Sequence, residues 1–249
     1  MAARGASYRQ ILAKYFPATH LGQLDRFSAD FIWNENLTSG TLGSSATAAR
    51  ASSARRSLAS ENFRVSYPDS VEQKDVEQLL SFLESSRKSL VGRVSAARLS
   101  VRIPTLEVYV AETTGDFVGR TALPYWAAAA SRDNQIELQP LGTLKRRGIL
   151  ETTLRHELVH TVVDLVSRGR SPRWLAEGLA VHLAGEGGML ARYEPRPRLK
   201  VEEIEKRLGY SRSMISADEM RSLYAAAYGE VKRLIAKSGE ASVWRRVAA

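Results

Sequence analysis

The residues whose types and spacing could do chemistry are His156-Glu157-Leu158-Val159-His160, which contain two of the chain's four histidines. Leu150, Leu154, Leu158, Val162 and Leu165 recur at helical spacing, so the segment reads as a helix with one apolar stripe. His156 and His160, one turn apart, project together from another face, where two imidazoles can grip one metal ion. Glu157 follows the first imidazole directly. That position sets its carboxylate beside a metal rather than on it, where it can take a proton from an activated water.

Two histidines leave a third protein position and an open position to be filled. The chain has no cysteine, so the remaining donors must be imidazole or carboxylate. Gly169 can end the first helix. Ser171-Pro172 reads as an N-cap followed by proline at the first helical position, opening a second helix with Trp174-Leu175-Ala176-Glu177-Gly178. From His160 to the turn is about 12 Å of helix and from Pro172 back to Glu177 about 7.5 Å, so an antiparallel return brings Glu177 to the level of the two histidines. Asp164 competes for the same role. Each step of four drifts about 40° around the axis and about 6 Å along it, which suits Asp164 better to hydrogen-bonding a ligand histidine. His182 lies about 140° around the second helix from Glu177 and faces elsewhere, and His20 belongs to the N-terminal segment.

His-Glu-x-x-His followed by Pro172-Arg173-Trp174-Leu175-Ala176-Glu177-Gly178-Leu179-Ala180 resembles the gluzincin zinc metallopeptidases, most closely the peptidase MA-like group related to aminopeptidase N. The resemblance implies a zincin-like fold, a Zn²⁺ cofactor held by His156, His160 and Glu177, and Glu157 as general base. Sixteen residues separate His160 from Glu177, where the aminopeptidases usually have about 18, and a shorter interhelix loop absorbs the difference. Downstream, Leu223-Tyr224-Ala225-Ala226-Ala227-Tyr228 resembles the helix that carries the family's transition-state tyrosine. The family register selects Tyr224, although Tyr224 and Tyr228 share one helix face and spacing alone does not choose between them. The family also lays its substrate along an exposed strand just before the active-site helix, and residues 126–130 (WAAAA) are the candidate. No glutamate stands between Tyr125 and Asn134 to anchor a free amine, which points to an endopeptidase.

The elements that must position these groups follow from periodicity. Residues 63–67 read as a strand stopped by Pro68-Asp69, and residues 70–91 as a helix with Val76, Leu79, Leu80, Leu83 and Leu90 on one face. Residues 106–110 alternate like a strand. Residues 125–130 and 135–139 read as a hairpin, and the remainder from 143 is helical. Strands come first and helices later, which is an α+β arrangement: a small mixed sheet followed by a helical half carrying the His-Glu-x-x-His helix.

The peptidase-like domain is therefore expected over residues 61–249. Residues 23–60 read as a linker, because from Thr38 onward they are rich in Ser, Ala and Arg and contain no acidic side chain. Residues 1–22 give a short amphipathic helix, Tyr8, Ile11, Leu12 and Tyr15, ended by Pro17. Residues 5–19 resemble the C-terminal helix of the stage II sporulation protein D family. That implies a remnant of an upstream envelope domain, an extracytoplasmic setting, and peptidoglycan-associated proteins as candidate partners beside a peptide or protein substrate. None of that family's active-site residues is present. There is neither a signal peptide nor a run of about 18 apolar residues, so no transmembrane segment is expected. The net charge of +9 is spread over pairs such as Arg55-Arg56, Lys145-Arg146, Arg196/Arg198 and Arg245-Arg246 without interleaved aromatics. These read as solvated surface, and no nucleic-acid partner is expected. A non-catalytic adaptor of the same fold is the competing class.

Overall fold

The computed structural model describes residues 28–30, 54–209 and 216–249. Its architecture is α+β, with a six-stranded mixed sheet in the order β1-β5-β6-β4-β3-β2. The strands are β1 (Ser28–Asp30), β2 (Arg55–Ala59), β3 (Phe63–Pro68), β4 (Leu106–Val110), β5 (Ala129–Arg132) and β6 (Gln135–Leu138). β3, β4 and β6 run parallel, and the outer pairings β2–β3, β5–β6 and β1–β5 are antiparallel. Alternation decides which side chains go inward: Phe63, Val65 and Tyr67 of β3 and Leu106, Val108 and Val110 of β4 are buried. Parallel neighbours need crossovers. Helix α1 (Gln73–Ala96) links β3 to β4, and α2 (Thr114–Thr121) follows β4 on the way to β5 and β6.

The rest is helical: α3 (Leu141–Arg146), α4 (Leu150–Ser167), α5 (Arg173–Ala184), α6 (Gly187–Leu190), a 3₁₀ turn (Ala191–Tyr193), α7 (Val201–Leu208), α8 (Ala217–Ser238) and α9 (Glu240–Ala248). One continuous core runs from the sheet through α1 and α4 to α5 and α8. A smaller apolar cluster, Ala111, Phe117, Leu123, Ala127 and Ala130, sits beneath α2. Among the described residues no helix is long and apolar enough to cross a membrane.

Two expectations need correction. Residues 23–60 do not form a linker throughout: residues 55–59 are strand β2, paired along β3. Arg55 donates to the carbonyl oxygens of Ser66 and Val110 and lies 3.8 Å from the centre of the Tyr109 ring. Arginines that read as solvated surface thus supply the sheet's outer edge with donors, a tertiary role that composition does not report. Nor is the strand before the His-Glu-x-x-His helix exposed. β5 begins at Ala129 rather than at residue 125, and β1 covers the edge not taken by β6, satisfying backbone groups that an open edge would leave unpaired. The N-terminal helix expected over residues 1–22 lies outside the described residues.

Candidate metal centre

Helix α4 carries His156, Glu157 and His160, and packs between the sheet, α1 and α5. It ends at Arg168 and Gly169, both with positive φ, which turn the chain back. The return helix α5 starts one residue later than expected. Pro172 is its N-cap, and the first-turn amides of Arg173 and Trp174 donate to Glu205 of α7 at 3.1 and 3.0 Å. A carboxylate from another helix therefore does the capping assigned to Ser171, and its charge suits the positive end of the helix.

The antiparallel return brings Glu177 to the two histidines. The Nε2 atoms of His156 and His160 are 3.0 Å apart, and Glu177 Oε2 lies 3.5 Å from the first and 3.2 Å from the second. These three atoms form the one group of potential metal donors found among the described residues. Metal–ligand bonds of about 2.0–2.1 Å in a tetrahedron place donor atoms about 3.3–3.4 Å apart, so the triangle has the dimensions of an ion-binding face. The donor chemistry agrees. Glu186 Oε2 lies 2.8 Å from His156 Nδ1, and an ionised carboxylate only accepts, so Nδ1 donates. The Nε2 lone pair of His156 is then left facing His160 and Glu177, the tautomer a metal ligand requires.

Glu186 escaped the sequence reading. Gly185 ends α5 in the left-handed conformation (φ 82°), and the Glu186 amide donates to the Val181 carbonyl. This closed turn folds Glu186 back toward α4. The glycine was the available signal, but nothing in the spacing indicates where the following carboxylate points. Asp164, the residue expected to hold a ligand histidine, is exposed on α4. Desolvation raises its carboxyl above the ordinary value, opposed by His160 and assisted by Glu177 and Asp133. The carboxylate on the Nδ1 side of His156, away from the donor triangle, is Glu186.

Helix α8 completes the surroundings. Gly178, next to Glu177, touches α8 so closely that a Cβ there would come within 2.7 Å of the Ala227 carbonyl carbon and of Val231 Cγ2. That approach seats Tyr224, 1% exposed, against His156 with ring centres 6.2 Å apart. Tyr228 goes elsewhere. Its ring lies 6.3 Å from that of His182 and covers Gly187, where a Cβ would strike it. His182 is not among the donors, and burial lowers its pKa, with Glu240 opposing. Glu157 is fully buried on the same helix as the two histidines, and His156, His160 and Glu177 are 0–4% exposed. A buried His156, His160, Glu177 group that can hold a metal ion is thus present, and the buried Glu157 follows His156 in the chain.

No protein-family model, curated protein or solved structure matches this chain.

Proposed function

We propose that the protein is a zinc-dependent peptidase of the gluzincin type with a zincin-like fold, acting as an endopeptidase in the bacterial cell envelope. The observation that carries this reading is the triangle of His156 Nε2, His160 Nε2 and Glu177 Oε2, with a buried glutamate adjacent in sequence to one histidine. Two imidazoles and a carboxylate are the donor set of catalytic zinc sites that keep a position open for water. Bound there, Zn²⁺ would supply Lewis acidity, lowering the pKa of a water toward about 7 and polarising the scissile carbonyl.

His156, His160 and Glu177 hold the ion, and Glu186 keeps His156 in the ligating tautomer. Glu157 takes the proton of the attacking water and passes it to the leaving amine. The Tyr224 hydroxyl donates a hydrogen bond to the oxyanion as it develops. An extended substrate pairs with the β5 edge that β1 now covers, so access requires β1 to leave that edge. The resemblance of residues 5–19 to an envelope-protein helix supports the setting and supports peptidoglycan-associated proteins as partners.

The near-complete burial of the donors favours a second reading, a zincin-fold adaptor that keeps the metal and binds envelope proteins or wall polymers without cleaving them. Glu157→Gln separates the two. It should leave metal content and melting temperature intact while casein or peptide hydrolysis falls by about 10²- to 10⁴-fold. Equal, substantial hydrolysis by both forms contradicts the mechanism. Equal inactivity on a broad peptide library, with metal bound, establishes the adaptor.

A further inference from the structure

A cavity of about 500 Å³ lies beyond the Glu186-Gly187 turn, and its lining includes none of the metal donors. Leu190, Ala225 and Ala236 give it an apolar wall. Its charges are three cations, Arg198, Lys232 and Arg233, against one carboxylate, Glu194. The cations converge from two elements, Arg198 from the segment before α7 and the other two from α8. Arg233 is ion-paired to Glu230, whereas neither Arg198 nor Lys232 has an ion-pair partner among the described residues. Other arginines are paired, Arg207 of α7 with Glu219 and Arg93 of α1 with Glu240.

The arrangement holds like charges together. Arg233 lies below its ordinary pKa, first through burial and then through Arg198, with Glu194 opposing. A cavity of this size suits a small molecule, and walls of low polarity strengthen the field of the cations that line it. We propose that it binds a small organic phosphate, the dianionic head among Arg198, Lys232 and Arg233 and the apolar part against Leu190, Ala225 and Ala236. Charge-assisted hydrogen bonds from guanidinium and ammonium groups to phosphate oxygens are the interactions this geometry offers.

The test is isothermal calorimetry on the full chain with phenyl phosphate, inorganic phosphate and vesicles containing phosphatidic acid. One phenyl phosphate should bind per chain, more tightly than inorganic phosphate because only the former fills the apolar wall. Arg198→Gln and Lys232→Gln should each weaken it about tenfold with melting temperature unchanged, while Lys88→Gln, an exposed control on α1, changes nothing. Vesicle binding that phenyl phosphate displaces would support the site with a lipid headgroup as the source. Chelator should leave phosphate binding intact, so this inference and the metal reading fail separately. The proposal is overturned if phenyl phosphate shows no saturable binding, or if Lys88→Gln weakens it as much as Arg198→Gln does.

Discussion

The sheet half and the helical half of this protein treat buried and half-buried charge in opposite ways. In the sheet, charges are matched on the spot. Glu137 of β6 accepts two hydrogen bonds from Arg120 at 2.9 and 2.7 Å, and that guanidinium lies 3.5 Å from the centre of the Tyr109 ring. In the helical half, two buried carboxylates, Glu177 and Glu186, lie at the ring nitrogens of two buried imidazoles, His156 and His160. Gathering carboxylates in a low-dielectric interior is unfavourable unless a cation joins them. The first pattern holds a fold together, and the second can hold a metal ion.

The largest effect that sharpens this contrast concerns the tyrosines. Tyr224→Phe should lower kcat by about 10²- to 10³-fold with little change in KM, because the hydroxyl acts only as the oxyanion forms. Tyr228→Phe should leave kcat unchanged, since that ring packs on His182 and Gly187 rather than on His156. Side-by-side kinetics check both, and a kcat loss confined to Tyr228→Phe would reverse the assignment. Next in size is Glu186→Gln, which keeps the shape but no longer guarantees that Nδ1 of His156 donates. Metal affinity should fall about 10- to 100-fold in a competitive chelator titration while the chain stays folded.

How much of this was legible in the sequence follows from the range of each interaction. The α4 helix, its two histidines and the antiparallel return to Glu177 rest on helical geometry over short spans, and periodicity conveys that directly. Glu186 depends on how one glycine turn folds back, and the Glu205 cap on a helix 31 residues onward, so neither leaves a local pattern. Strand β2 was missed for a similar reason. Arg55, Arg56 and Ser57 carry little strand propensity, and the pairing with β3 and the contacts with Val110 and Tyr109 stabilise it instead.

The smallest effect lies on the sheet side. Glu84 of α1 accepts hydrogen bonds from Ser60 Oγ at 2.6 Å and from the amide and side chain of Asn62, both at 2.8 Å. Desolvation raises its carboxyl, but those bonds, with Arg87 nearby, more than offset it and hold the pKa below the ordinary value. A carboxyl depressed on folding contributes stability that is present above its unfolded pKa and lost as pH falls through its folded pKa. Glu84→Gln should therefore lower the stability at pH 7 by less than about 1 kcal/mol for a group still partly open to solvent, seen as a small fall in melting temperature, and make no difference near pH 2. Metal content should not change, because Glu84 is not among the donor residues His156, His160 and Glu177.

The most direct test of the central claim is metal analysis of the purified chain by mass spectrometry, with the donor variants measured beside it. The wild-type chain and Glu157→Gln should each carry about one zinc, whereas His156→Ala, His160→Ala and Glu177→Ala should carry almost none. A metal-free wild-type chain that still fails to bind added zinc, or full retention of zinc by Glu177→Ala, would contradict the assignment of these three residues as the ligands.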